Sequence, residues 1–291
     1  MAKTKSLLVR TSNALFNRIA PQGFAEAWDN VGLLVEAPLP RAAASKVFLT
    51  IDLTLETVNE AISDPSVGVI VAYHPPIFSG LKRLTLSDVK QKIVLLCAAH
   101  GISVLSPHTS LDIASGGIND WLATGLGEHV LKPIADLDPK RLALALSVNQ
   151  GESAGIGRIA TLAQPASVEE IVKRVKNHLK LSHVRLALPS VNSTAAKTIV
   201  KTVAICAGSG HSVCSQAKGV DLYFTGEMSH HEVLEATAKG RAVILCDHTN
   251  TERGFLADVL QTKLQSYINE DGGSVVEVVC SKLDADPLVV V

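Results

Sequence analysis

Three separated segments of the chain place metal-type ligands directly after an apolar run. Tyr73-His74-Pro75 follows VGVIVA, His108-Thr-Ser-Leu-Asp112 follows ISVLS, and His248-Thr-Asn-Thr-Glu252 follows AVILC. An apolar, β-rich run that ends in a polar cluster reads as a buried strand delivering side chains to a site. In open α/β sheets, ligands collect beyond the carboxyl ends of strands. Three such ends carrying His, Asp and Glu point to a divalent metal site, with room for more than one ion.

His108 and Asp112 are four residues apart, and so are His248 and Glu252. On a helix, positions i and i+4 share one face with Cβ atoms about 5–6 Å apart, so each pair can offer two ligands to one ion. A single pair of this kind is ordinarily a surface hydrogen bond. Two of them after strands, together with His74, make a metal site the better reading. Thr249 or Asn250 is placed to cap a helix carrying Glu252. Pro75 and Pro76 fix the backbone beyond His74, as a preorganised ligand requires; a core histidine at a sharp turn is the plainer alternative. Asp29 in Trp28-Asp-Asn-Val-Gly-Leu-Leu can orient a ligand histidine, although a turn stabilised by Asp and Asn side chains is the preferred explanation.

Glu227 ends the run VDLYFTG and is placed to act as a general base or to bind substrate. His230 and His231 follow it, and adjacent helix positions cannot both face one cleft. Gly208-Ser209-Gly210 and Gly116-Gly117 are turns whose backbone amides can hold a phosphate. Close packing is the commoner cause of such turns, and neither is a full dinucleotide fingerprint or a Walker sequence. The chain has no G-x-S-x-G elbow and no clear catalytic Cys–His signature.

The elements that must position these residues alternate. Strands are expected over 46–54, 67–72 and 102–106, and helices over 55–64, 86–100 (closed by Gly101) and 113–125. This βαβ alternation implies a mostly parallel sheet. From about 129 to 165 the pattern changes to short alternating runs, RLALALSV and GRIATLA. SVEEIVKRVKNHLKL reads as a helix with Ser167 as N-cap and Glu170 completing a capping box. VRLALP, TVAICAG, VDLYFTG, AVILCD and VVEVVC read as strands, with helices over SHHEVLEATAKG and TERGFLADVLQTKLQSYI. The fold class is α/β. Two lobes are expected, 1–128 and 129–291, and the C-terminal strand is free to return to the first.

Apolar residues make up 47% of the 291 positions, enough for a sizeable core and too many for disorder. The apolar runs fall well short of the roughly 20 residues a membrane helix needs, so no membrane role is expected. A net charge of −1 gives no footprint for direct nucleic-acid binding. The five cysteines lack C-x-x-C spacing, and four of them sit in or beside strand-like runs; reduced, buried thiols in a cytoplasmic protein are expected. The N-terminus carries Lys3, Lys5, Arg10 and Arg18 before its first acid, Glu26. That suits a mitochondrial transit peptide. A first amphipathic helix, with Leu8, Leu15, Phe16 and Ile19 on its apolar face, is preferred.

Four segments together resemble the Ngg-interacting-factor-three-like family, also named GTP cyclohydrolase I type 2. They are WDNVGLL (28–34), YHPPIFSGLKRLT (73–85), HTSLDIASGGINDWLA (108–123), and TGEMSHHEVLEA (225–236) with DHTNTERGF (247–255). The resemblance spans nearly the whole chain, in the right order. It implies two similar α/β lobes with a dinuclear metal site in the cleft between them, and a ring-like homo-oligomer, commonly a hexamer. It also implies His74, Asp112, His248 and Glu252 as metal ligands, with His108 a ligand or an immediate neighbour. The family's first motif often has two histidines; Tyr73 replaces the first, as in the eukaryotic branch. Tyrosine, with a pKa of about 10, is a poor divalent ligand near neutral pH, so one of two ions is expected to bind weakly or be absent. The large middle insert of some longer bacterial members is missing.

The expected function is that of a metal-dependent hydrolase acting on a nucleotide-like or phosphorylated small molecule. One or two ions of zinc, manganese or iron would serve it, with Glu227 or His108 relaying protons and the glycine turns holding phosphate. GTP ring opening is what the family name implies. The alternative is a non-catalytic protein that binds a transcription-cofactor partner, its metal structural or vestigial; a metal chaperone or sensor is a third reading. The expected location is the cytoplasm, with mitochondrial or nuclear pools.

Overall fold

The structure is a computed structural model that describes residues 5–190, 192–270 and 272–291. It divides into two compact units: the chain through Leu111 together with Phe255–Val291, and Asp112–Gly254. The sequence alone suggested a division at 128/129; residues 112–128 here go with the second unit.

The first unit holds a five-stranded sheet, β1 (Gly32–Val35), β2 (Lys46–Thr50), β3 (Val67–Ala72), β4 (Ser103–Ser106) and β11 (Glu277–Cys280), in the order β1-β4-β3-β2-β11. β11, β2, β3 and β4 run parallel, and β1 is antiparallel to β4. β3 is buried at all six positions, which is why VGVIVA carries no polar alternation. Helices α2 (Leu55–Ser63) and α3 (Val89–Ala99) cover the sheet, packing Val58, Ile93, Val94 and Cys97 against Phe48, Ile70 and Val104. Thr54 caps α2 in a reciprocal capping box, and Gly101 follows α3 at φ +69°. Burying each such aliphatic side chain is worth about 1.5–3 kcal/mol.

At the N-terminus, α1 (Leu7–Ala14) continues through a π turn, Leu15–Ile19. Ser6 caps it, Leu15, Phe16 and Ile19 are buried, and Leu8 is half-buried. The preferred helix is therefore present from Leu7 on; Lys3, part of the transit-peptide reading, lies outside the described residues. The buried Arg10 guanidinium donates to Ser274 O (2.8 Å) and Ile268 O (2.9 Å), tying α1 to the end of α11 (Gln261–Glu270).

The second unit holds a mixed six-stranded sheet: β5 (His129–Lys132), β6 (Arg158–Ser167), β7 (Arg185–Ala187), β8 (Ile199–Ser209), β9 (Leu222–Glu227) and β10 (Ala242–Leu245), in the order β5-β6-β8-β9-β10-β7. β8, β9 and β10 run parallel and the other pairings are antiparallel. Its helices are α5 (Ile118–Thr124), α6 (Pro139–Ser147), α7 (Val168–Leu179), the short α8 (His211–Cys214) and α9 (His230–Ala238). Two short helices, α4 (His108–Ile113) and α10 (Arg253–Phe255), stand at the junctions of the units. No helix among the described residues is long and apolar enough to cross a membrane.

Four local expectations are corrected. The alternating run RLALALSV lies in a helix, α6, where Asp138 Oδ1 accepts from Lys140 N (3.0 Å) and Arg141 N (3.1 Å) and Pro139 occupies the first turn. Leu and Ala favour helix strongly, so the cap and propensity outweigh the period-two pattern. Ser167 caps α7 as expected, but Glu170 does not reach back; its Oε1 pairs with Arg174 Nε at 3.1 Å. The long C-terminal helix is interrupted by a π turn at Leu256–Leu260. The segment from His248 to Glu252 is a 3₁₀ turn at Thr249–Thr251, without a side-chain cap, rather than an α-helix.

Candidate metal centre

In the first unit, parallel pairing of β2, β3 and β4 aligns their carboxyl ends. Asp52, His74 and His108 each stand two residues beyond one of those strands. Tyr73 N donates to Thr50 O (2.9 Å) and His74 N to Ile51 O (3.0 Å), so the β2–β3 ladder carries on to the histidine. His74 Nδ1 lies 2.9 Å from Asp52 Oδ1, and His108 Nδ1 lies 2.7 Å from Asp29 Oδ1. The imidazole centroids are 5.5 Å apart, and the buried Tyr73 ring packs against both, at 5.0 Å from His74 and 5.4 Å from His108.

Asp29 has a fully buried side chain. Besides His108 it accepts from Thr109 N (3.1 Å), Thr109 Oγ1 (2.5 Å) and Asn30 N (2.7 Å). Burial alone would raise its pKa. The hydrogen bonds from His108 and Thr109, with the electrostatic attraction of the His108 ring, outweigh burial and hold the carboxyl pKa below its ordinary value. The carboxylate both supports the expected turn, through Asn30 N, and orients a histidine, through His108 Nδ1. His108 itself takes φ +32°, an unusual backbone for a non-glycine residue.

In the second unit, β8, β9 and β10 end in Gly208-Ser209, Glu227 and, after Cys246-Asp247, His248. His248 Nδ1 lies 2.7 Å from Glu227 Oε1, and His248 Nε2 lies 3.5 Å from Oε1 of the buried Glu252. The expected convergence of His248 and Glu252 is thus reached through a 3₁₀ turn. The two expected cap residues bond as follows: Thr249 Oγ1 accepts from Arg253 Nη1 (2.8 Å), and Asn250 Nδ2 donates to Cys246 O (2.9 Å). Thr251 does the local work instead, accepting from Gly208 N (2.8 Å) and donating to His248 O (2.7 Å).

Gly208, at φ +61°, is the floor of this cluster. A Cβ there would lie 2.7 Å from His248 Nε2 and 2.9 Å from Glu252 Oε1. A Cβ on Gly226 would lie 2.7 Å from Gly208 O and 2.9 Å from His248 Cα. These glycines serve close packing, not phosphate: Gly208 N donates to Thr251, Gly210 N to Thr225 Oγ1 (3.0 Å) and Gly116 N to Asp120 Oδ2 (2.5 Å). The phosphate expectation for the glycine turns is withdrawn, because these amides are already engaged. His230 and His231 are both exposed.

Asp112 lies on α4. Its backbone oxygen accepts from Asn119 Nδ2 (3.1 Å), and Asn119 Oδ1 accepts from Ala207 N (2.9 Å), which fastens Asp112 beside the end of β8. Burial raises the Cys206 thiol pKa well above its usual value, with further contributions from Cys214, Asp112 and Glu252, so both carboxylates bear on one thiol. Asp52, Asn119 and Thr251 escaped the sequence reading. Asp52 was findable, since it follows the apolar run KVFLTI as the histidines follow theirs. Asn119 and Thr251 owe their roles to tertiary bonds, to Ala207 and Gly208, which leave no local signal.

The donor chemistry fits a divalent ion. Three histidines each give Nδ1–H to a carboxylate: His74 to Asp52, His108 to Asp29 and His248 to Glu227. That hydrogen bond fixes the tautomer with its in-plane lone pair on Nε2 and raises ligand basicity, the arrangement that supports metal-bound histidines. In the second unit that Nε2 faces a buried carboxylate over a glycine whose missing side chain leaves the space.

The family model described as Duf34/NIF3 (NGG1p interacting factor 3) matches residues 8–287. The chain is 44% identical over 289 residues to protein NIF3 homolog of Schizosaccharomyces pombe, covering 99% of this chain and 98% of that one. It is 43% identical to NGG1-interacting factor 3 of Saccharomyces cerevisiae, with 93% and 92% covered. Among solved structures, Staphylococcus aureus protein SA1388 matches with a TM-score of 0.79 at 24% identity, over 98% of this chain and 99% of that one. With a match of that extent to the family model and relatives this similar across nearly their whole lengths, the chain belongs to the NIF3 family.

Proposed function

We propose that the protein is a metal-dependent hydrolase acting on a nucleotide-like or phosphorylated small molecule. The observation that carries the reading is the set of three histidines held at Nδ1 by carboxylates at strand ends. In this reading the ligands of zinc, manganese or iron come from His74, Asp112, His248 and Glu252, the histidine and carboxylate types that suit such ions. Tyr73 stands where the family often has a histidine, so a second ion binds weakly or not at all in this reading. A divalent ion supplies Lewis-acid polarisation and a lowered pKa for water.

The protein's own groups do the rest. Asp52 and Glu227 hold the ligand histidines in one tautomer. Glu227 is thereby a positioning residue, half-exposed beside His248. His108, its Nδ1–H given to Asp29, accepts a proton at Nε2 and returns it to a leaving group. A ring-like homo-oligomer, implied by the family resemblance, belongs to the same proposal.

The test is elemental analysis of protein purified without chelator or affinity metal. Near-stoichiometric metal is expected in wild type. It should be lost in both His74→Ala and His248→Ala/Glu252→Ala, each still folded by circular dichroism. Loss in only the second variant would remove His74 from the ligand set. No metal in wild type, even after incubation with zinc, manganese or iron, would sink the hydrolase reading. A second reading then takes its place, favoured by the name of the Saccharomyces cerevisiae relative, NGG1-interacting factor 3: a non-catalytic protein that docks a transcription-cofactor partner.

A further inference from the structure

The chain has only two Trp, three Tyr and six Phe. Among the described residues the exposed large aromatics are Trp28, 60% accessible, and Phe78, 50% accessible. These two are neighbours, with ring centroids 6.0 Å apart at an interplanar angle of 44°. Both meet the His108 ring edge-to-face, at 6.0 Å from Trp28 and 6.4 Å from Phe78.

Their exposure is not looseness. Trp28 precedes the fully buried, multiply bonded Asp29, and Asn30 Nδ2 donates to Ile77 O at 2.5 Å, joining the Trp28 loop to the Phe78 loop. A backbone anchored on both sides of the pair thus holds two apolar rings out to water beside an oriented imidazole. Exposed apolar surface kept rigid at a polar site is a binding feature.

We propose that Trp28 and Phe78 form a stacking platform for a planar heteroaromatic ring of the ligand, of the purine or pyrimidine type, with His108 at its edge. The two rings already touch, so there is no slot between them; the ligand ring lies on their exposed faces. Aromatic side chains take bases in this way because every base has a π-face. A protein partner fits less well, because the core of an interface is normally depleted of charge, and the ring against both aromatics is a carboxylate-bound imidazole. For the chemistry done on the bound ring this inference rests on the hydrolase reading; its test does not.

The test uses isothermal titration of the full chain with guanosine 5′-monophosphate and uridine 5′-monophosphate, and with ribose 5-phosphate as the ringless control. Metal content and sedimentation are measured on the same samples. Both nucleotides should bind at least about tenfold more tightly than the control. Trp28→Ala should bring them to the level of the control, Phe78→Ala should weaken them in part, and Trp28→Phe should recover most of the affinity, with metal content unchanged throughout. Equal binding of ringed and ringless probes, or nucleotide binding untouched by Trp28→Ala, overturns the proposal. So does a change in assembly mass in Trp28→Ala without loss of nucleotide binding, which would assign the face, with the exposed Leu81, Leu84 and Leu86 that follow Phe78, to a second copy of the chain. Absence of metal from wild type would count against the hydrolase reading alone and leave the ring dependence to be read as before.

Discussion

Gly208 has two reasons to be glycine: its φ of +61° and the two ligand-type atoms a Cβ would strike. Gly208→Ala is expected to cost about 1–2 kcal/mol from the left-handed backbone alone, seen as a lower urea midpoint, and to push His248 and Glu252 apart. Metal content by mass spectrometry should fall to a tenth or less of wild type; retention of metal would show that the cluster relaxes around the methyl group. The carboxylates behind the histidines make a separate case. Asp52→Asn and Glu227→Gln keep size and hydrogen bonding but lose the charge that polarises Nδ1–H. Each should weaken metal binding ten- to a hundredfold in competition with a chelating dye. An unchanged constant in both would mean that neither histidine is a ligand. Asp52 and His74 are 22 positions apart, and nothing local links them. The sequence makes each strand end visible, but only parallel pairing decides which ends become neighbours.

At the scale of elements, Arg158 holds the second unit's sheet to the segment that leads from Asp112 into α5. Its side chain is buried, paired with Asp120, and donates to Gly155 O (2.6 Å), Gly157 O (2.8 Å), Ala114 O (3.2 Å) and Ile113 O (3.4 Å). Arg158→Ala removes the cation paired with Asp120 and the side-chain donor to those carbonyls, and should cost about 3–5 kcal/mol by denaturant unfolding; a cost under about 1 kcal/mol would mean that water replaces the guanidinium. Asp64 closes the turn between α2 and β3. Ser66 and then Lys46 hydrogen-bond its carboxylate and hold its pKa at about 2. A folded-state pKa below the unfolded value stabilises the fold above about pH 4, and that contribution is lost as pH falls toward 2. Asp64→Asn should therefore flatten the acid limb of the stability curve. The group is 37% exposed, so after solvent screening the effect stays below about 1 kcal/mol, and an acid limb unchanged from wild type would assign acid sensitivity elsewhere. Elements with one dominant signal were legible. VGVIVA is β3 at its expected bounds because every residue is buried, and Ser167 starts α7 as its cap. Where two signals compete, reading by period failed: LALAL alternates like a strand, yet Asp138-Pro139 starts a helix of Leu and Ala. The turn of His248-Thr-Asn-Thr-Glu252 was unreadable because Thr251 is fixed by Gly208, a residue of another strand.

For the whole molecule, the cysteines report on global integrity. All five are unpaired thiols. Burial raises Cys97, Cys214 and Cys246 to about 12 and Cys280 to about 11, and lifts Cys206 well above its usual value. At pH 8 the thiolate population of Cys97, Cys214, Cys246 and Cys280 is at most about one in a thousand, and that of Cys206 is likewise suppressed. Iodoacetamide should leave the native protein unmodified over hours and label five sites in denaturant; fast labelling of one native thiol would reveal a local opening that the packing gives no reason to expect. The order in which the chain is made has a further effect. The second unit is one uninterrupted stretch, Asp112–Gly254, set between the two pieces of the first. When that stretch has left the ribosome, the first unit still lacks β11, the neighbour of β2, and the carbonyls of Ile268 and Ser274 that receive Arg10. Synthesis therefore runs inside out: the part encoded in the middle can finish first, while the strands made earliest wait, with one edge of β2 bare, for the last to be translated.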